Sequence, residues 1–336
     1  MLETLILALI VLFVMITLAA YTTYAERRIC AFIQQRKGPN RVGPLGLLQP
    51  AADALKLLLK ENIIPADANP IIHFLAPVLT VLLAVSGLAI LPFARGIQVF
   101  DANIGILYTL AIASISVYGI SMAGWASNSK YALLGGLRSS AQMISYELSM
   151  GLSIVSVILL TNHFYPKGEY LRLTTIVEAQ KDVWFIFINP LGFLIFLVAS
   201  FAETNRAPFD FAEAEQELVA GFHTEYSGMK FGSFYLGEYL NVLISSGIIS
   251  TLFLGGYRGP FEETIGVANW DFISQTVWGV SWFMAKLLFF VFVFIWVRWT
   301  LPRFKYNQLM NLGWRYLLPL SILNLMVIAL VLMFLQ

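Results

Sequence analysis

Charge is what this sequence has least of. Asp, Glu, Lys and Arg make up 12% of the 336 residues, about half the share usual in a soluble chain. Cysteine is almost absent. The single Cys30 excludes an internal disulfide framework and a multi-cysteine metal site. There are three histidines, His73, His163 and His223, and only His73 falls near the body of an apolar run. That leaves no paired axial ligands for an intramembrane haem and no Cys/His cluster for zinc or iron–sulfur. Neither a strand followed by Gly-x-Gly-x-x-Gly nor a phosphate-binding Gly-x-x-x-x-Gly-Lys-Ser/Thr occurs, so the chain offers no nicotinamide or nucleotide site of its own. The net charge of +1 gives no footprint for nucleic acid. Electron carriers, if the protein serves redox chemistry, must sit in other subunits.

What is present is apolar length. Apolar residues are 58% of the chain and the mean hydropathy is +0.75. A bilayer-spanning helix needs about 20 such residues in a row. Eight runs qualify, at 2–25, 71–93, 104–126, 140–161, 183–202, 231–256, 276–299 and 313–335. They are too long and too uniformly apolar for barrel strands. The expected fold is an all-α integral membrane protein of about eight spans in a single membrane domain, 1–336. The first run starts with Glu3 rather than a basic segment and lacks a small-residue cleavage pattern, so it reads as a retained anchor.

Eight spans put both termini on one side. The odd-numbered connections carry fourteen Lys and Arg; the even ones carry five, Arg95, Lys167, Arg172, Lys181 and Arg258. Positive charge marks the cytoplasmic side, which places both termini outside. In the first cytoplasmic connection, residues 45–62 carry Leu47, Leu48, Ala51, Leu55, Leu58 and Leu59 at helical spacing, with Asp53, Lys56 and Lys60 among them. This is an amphipathic helix, lying on the membrane surface or packed beneath a partner protein. The third, 204–230, mixes Asp210, Glu213, Glu215, Glu217 and Glu225 with Phe209, Phe211 and Phe222.

Among the ionisable residues inside or at the end of spans are Glu147, Glu203, Glu238 and Lys286. Each costs about 2.5–3.5 kcal/mol near the bilayer centre on insertion scales. A structural pair such as Glu238 with Lys286, or a snorkelling side chain, is the bland account. Three carboxylates in one small bundle point instead to a proton path, with acids whose proton affinity follows burial and neighbouring charge.

The sequence resembles the H-type membrane subunits of respiratory complex I (NADH–quinone oxidoreductase), a family whose organellar members are the mitochondrially encoded membrane subunit 1. The matching segments are Glu26-Arg27-Arg28, Arg36-Lys37-Gly38-Pro39-Asn40-Arg41-Val42-Gly43, Gln49-Pro50-Ala51-Ala52-Asp53-Ala54-Leu55-Lys56, Ser145-Tyr146-Glu147, Phe201-Ala202-Glu203-Thr204-Asn205-Arg206-Ala207-Pro208-Phe209-Asp210, Glu213-Ala214-Glu215-Gln216-Glu217-Leu218, Glu225-Tyr226-Ser227-Gly228 and Leu301-Pro302-Arg303. They span nearly the whole chain.

The resemblance implies a subunit joining the proton-pumping membrane arm to the electron-carrying peripheral arm. It implies a quinone chamber, for ubiquinone or menaquinone, lined or supported by Glu26, Arg27, Arg36, Asp53, Lys56, Arg298 and Arg303. An acidic coupling path follows through Asp210, Glu213, Glu215 and Glu217, with Glu203, Glu147 and Glu238. No cofactor or metal is expected on this chain; NADH, FMN and iron–sulfur clusters belong to partners. Those partners are the peripheral quinone-site and iron–sulfur subunits, the small membrane subunits and the antiporter-like subunits. The implied location is a bacterial inner membrane, with an organellar inner membrane as the alternative. Two rival classes are a free-standing secondary transporter, which would be active alone, and a structural anchor, in which neutralising Glu147, Glu203 and Glu238 would leave turnover intact.

Overall fold

The computed structural model describes residues 2–166, 169–212, 215–260, 262, 266–267 and 270–334; the side chains of Glu215 and Gln216 fall outside the description. Seven helices are long and apolar enough to cross a membrane: α1 (Leu2–Ile33), α3 (Pro70–Leu88), α4 (Gly105–Ala126), α5 (Lys130–Phe164), α10 (Gly228–Phe253), α11 (Phe272–Thr300) and α12 (Tyr306–Phe334). Short helices lie between them: α2 (Gln49–Leu59), α6 (Leu173–Ala179), α7 (Phe185–Ile188), α8 (Pro190–Glu203) and α9 (Glu215–Leu218). Among the described residues there is one isolated bridge, Ala94 with Ile97, and no strand.

The fifth apolar run is the exception among the eight. It is broken into α7 and α8 at Asn189–Pro190, and α8 alone, at 14 residues, reaches only about 21 Å. Pro190 starts the second piece because a proline has no amide to contribute inside a helix. Asn189 caps it, accepting from Gly192 N at 2.9 Å and donating to Ser156 Oγ of α5 at 2.6 Å. The break is thus tied into the bundle by polar groups, as hydrocarbon requires.

Several helices run further than their apolar runs, α1 and α5 most of all. Helix α1 continues through Ile33, so Glu26, Arg27, Arg28 and Cys30 are helical rather than loop. Helix α5 starts at Lys130, ten residues before the apolar run, and its 35 residues measure about 52 Å, well beyond a 30 Å hydrocarbon core. Charged residues terminate an apolar run but do not terminate a helix, since Lys, Arg and Glu are good helix formers. The predicted surface helix is shorter than 45–62: Pro44–Gly46 form a 3-10 turn and α2 covers Gln49–Leu59 with no buried residue. Leu55, Leu58 and Leu59 stand exposed on it.

Helix α10 is the axis of the bundle. In its apolar window 83% of the residues are buried, against 17% for α1, which therefore sits at the rim. Leu5, Leu9 and Phe13 of α1 are exposed and suit a lipid face. Small residues let neighbours close in on the axis: a side chain at Gly87 would meet Ile244, and one at Gly237 would meet Thr80. In α12 a π-helical turn at Leu312–Leu317 packs Gly313 against Tyr146, whose hydroxyl donates to Leu309 O at 2.9 Å.

Candidate functional site

The ends of α1, α8, α10 and α11 converge on Arg206, in the loop after α8. Its guanidinium donates to Glu238 at 2.6 Å and to Glu26 at 3.2 Å, and lies 4.1 Å above the centre of the Tyr239 ring. The other Glu26 oxygen meets Arg298 at 2.8 Å, and Tyr239 O–H donates to Glu26 at 2.9 Å. Two cations and two anions form one neutral cluster, with the Arg206 side chain only 1% exposed. Burial works against the charge on Arg206, but Glu238 and Glu26 outweigh it and hold the guanidinium more firmly protonated than usual. The bland pairing of Glu238 with Lys286 does not occur. Glu238 pairs with Arg206, and Lys286 donates to the carbonyls of Leu254, Gly256 and Arg258.

Glu238 also faces a cavity, together with Glu203, Asn205, His223, Thr80 and Ser116. Glu203 lines that cavity and two others. One, the smallest of the three, is shared with Glu147, whose carboxylate is hydrogen-bonded by Ser114 Oγ. The other runs along Asn241, Ser245 and Ile248 of α10 to Thr109 and Gly87. The cavity at Glu238 and the one along α10 have room for water beside several polar groups, which is what ordered internal water needs, whereas the one shared with Glu147 is just large enough for a single water, with Glu147 and Glu203 as its polar lining. The three membrane carboxylates therefore form a series, with Glu203 between Glu238 and Glu147. Burial pushes the His223 imidazole down to about 4, so it faces the first cavity as a neutral ring.

The loop carrying Arg206 is held from α5. Gln142, fully buried, donates to Ala202 O at 2.7 Å and to Phe209 O at 2.8 Å. Ser139 donates to Asn205 at 3.0 Å, and Asn205 takes a left-handed backbone, φ 50°. Asn tolerates that conformation better than most residues. Arg303 anchors the far side, donating to the Asp210 carbonyl and lying 5.2 Å over the Phe211 ring.

The remaining residues of the two expected sets are dispersed. Arg27 pairs with Asp53 at 2.7 Å and so ties α1 to α2. Arg36 bonds Gln34 at 2.6 Å and is exposed, as is Lys56. Glu217 is exposed and pairs with Arg138 at 2.7 Å. Glu215 begins α9, with its side chain outside the description, and Glu213 lies outside the described residues altogether. Among the described residues no group of three His, Cys, Asp or Glu could hold a metal ion. Arg206, Tyr239, Gln142 and Ser114 were not among the expected site residues. An arginine just past the end of an apolar run was the one available signal for Arg206; Gln142 and Ser114 look like ordinary span residues.

The NADH dehydrogenase family model matches residues 5–329. The chain is 56% identical over 335 residues to NADH-quinone oxidoreductase subunit 8 of Rhodothermus marinus, covering 97% of this chain and 96% of that one. It is 54% identical over 331 residues to the NADH-quinone oxidoreductase H subunit of Salinibacter ruber, covering 96% and 94%. It is 51% identical over 334 residues to the second H subunit of Geobacter sulfurreducens, covering 97% and 95%. With its motifs, its all-helical membrane fold and this full-length likeness, the chain belongs to the NADH dehydrogenase family, whose relatives here are membrane subunits of NADH–quinone oxidoreductase.

Proposed function

We propose that this chain is the membrane subunit of a proton-translocating NADH–quinone oxidoreductase that forms the membrane part of the quinone chamber and passes the effect of quinone reduction to a series of carboxylates. The observation that carries the reading is the double role of Glu238. It belongs to the Arg206 cluster with Glu26 and Arg298, and it faces the same cavity as Glu203. Glu203 in turn shares a cavity with Glu147.

The coupling follows from electrostatics. Arg206 divides its hydrogen bonds between Glu26 and Glu238. A change of charge in the chamber beside Glu26 and Arg298 alters that division. When Arg206 moves toward Glu26, Glu238 loses its cation and becomes the acid that takes up a proton. Glu203 and Glu147 then exchange protons with it through water in the shared cavities. The effect can be no larger than the difference in interaction between the two states.

In this reading the substrate is a membrane quinone, and Arg27, Asp53, Arg36, Lys56 and Arg303 shape the mouth of the chamber, with Asp210, Glu213, Glu215 and Glu217 in the adjoining loop. NADH, flavin and iron–sulfur clusters belong to partner subunits. The Arg206 end of the bundle faces the cytoplasm of a bacterial cell, and both termini face outward. The test is Glu203→Gln and Glu147→Gln in the assembled complex, scored for NADH:quinone activity and for proton pumping in proteoliposomes. Loss of pumping per quinone reduced is the expected result. Pumping and turnover at parental values in both variants would sink the assignment.

A further inference from the structure

The end of the bundle opposite Arg206 is closed by three segments that fold inward. The cavity lined by Glu203 reaches Thr109 and Gly87, close to the far ends of α4 and α3. Immediately past Gly87 the chain turns in, and Ile90 and Leu91 are at most 1% exposed. Leu91 sits 3.0 Å from where a side chain on Gly247 of α10 would begin, a close approach that glycine allows. Val177 of α6 is seated in the same way on Gly256, 2.7 Å from the missing side chain. Gly255 and Gly256 themselves have φ of 69° and 51°, values that favour glycine. Ile90, Leu91 and Val177 thus pack an apolar layer at this end of the bundle.

Two buried polar side chains clamp this layer. Gln180, 0% exposed, donates to Thr251 O at 2.9 Å and accepts from Gly255 N at 2.9 Å. Lys286, 7% exposed, donates to the carbonyls of Leu254, Gly256 and Arg258 at 2.6, 2.8 and 2.5 Å. Three acceptors surround Nζ, one for each N–H of an ammonium. The Trp184 ring covers it at 4.7 Å. Along α11, Lys286 lies twelve residues before Arg298, about 18 Å, so the turn it binds lies deep in the bundle. Irregular backbone at that depth needs partners or it draws in water.

We propose that the turn clamped by Lys286 and Gln180 is the proton seal of the bundle. It keeps water and protons of the acid-lined cavities from reaching the far side of the membrane. The ammonium satisfies the carbonyls that would otherwise recruit a water file. In its protonated form it also opposes an approaching hydronium, as cations do in pores that exclude protons. This rests on the relay reading only in naming the cavities as the proton-bearing side.

The experiment measures passive proton leak through the assembled complex in proteoliposomes, under an imposed potential and without NADH. Lys286→Met and Gln180→Leu are expected to raise the leak several-fold while NADH:quinone activity without a gradient stays within about twofold. Lys286→Arg keeps the charge and stays near the parental leak. Leu91→Ala breaks no hydrogen bond, opens the apolar layer at Gly247 and raises the leak too, so it decides the matter where the polar variants fail to assemble. Adding Glu203→Gln to Leu91→Ala lowers the leak again. A parental leak in assembled Lys286→Met and Leu91→Ala overturns the seal. Failure of the relay is read separately, as pumping unaffected by Glu203→Gln and Glu147→Gln.

Discussion

Arg206 and Glu26 hold a hydrogen bond of 3.2 Å across a sequence separation of 180. Helix α1 supplies the acid, the loop after α8 supplies the base, and neither side chain meets water to any extent. Removing one partner of such a pair leaves a buried charge uncompensated, which costs about 3–5 kcal/mol. Arg206→Leu should therefore lower the thermal midpoint of the subunit sharply or prevent its assembly. Arg206→Lys should fall between, because a single ammonium does not reproduce a fork bonded to Glu238 and Glu26 at once. Assembly on native gels and melting of the purified complex measure both.

The Gln142 amide is the link between α5 and the Arg206 loop. Gln142→Leu leaves the carbonyl of Phe209 without its donor, at about 1–3 kcal/mol for a buried unsatisfied group, and leaves the Ala202 carbonyl only the longer bond from Asn205 N at 3.4 Å. The loop should then be cut faster by protease while the spans stay resistant. Gln142→Leu as protected as the parent would mean that other contacts hold the loop.

Protonation of His223 should set part of the acid sensitivity. Its folded value is about 4 against 6.5 for the free side chain. The unfolded chain binds the proton first, so this group weakens the fold as pH drops from 6.5 toward 4 and has no effect above 6.5. The full effect is roughly 3 kcal/mol. His223→Gln should flatten the fall of the melting temperature over that window, and an unchanged slope would count against it.

The ion pair of Arg27 with Asp53 should matter little for stability. The side chains are 50% and 33% exposed, and such pairs contribute about 0.2–1 kcal/mol. Arg27→Gln should leave the melting temperature nearly unchanged. A loss in quinone reductase activity, seen mainly as a raised KM for quinone, is expected if this pair stands at the chamber mouth. An unchanged KM would remove Arg27 from the chamber.

The acids themselves were legible in the sequence. Glu147, Glu203 and Glu238 stand out because an apolar run has no ordinary use for a charge, and Pro190 marks the place where the fifth run breaks. The grouping of those acids was not legible. Glu238 read as a candidate partner of Lys286 and pairs instead with Arg206, since periodicity gives the face of a helix but not the neighbour it turns toward. The reach of α1 past Glu26 and of α5 back to Lys130 was hidden for a related reason: polarity ends an apolar pattern without ending a helix.

The sequence by itself determined that this chain lives in a membrane as a helical bundle, because hydrocarbon accepts a backbone only when its polar groups are satisfied within the segment. Its motifs also determined the family. Tertiary structure alone decided that Arg206 would join Glu26 to Glu238, that Glu203 would stand between two other carboxylates, and that Lys286 would be used up on three carbonyls. Charges in a low-dielectric interior must find partners. Which partner each finds is settled by how the helices pack, and packing brings together residues that the chain keeps far apart.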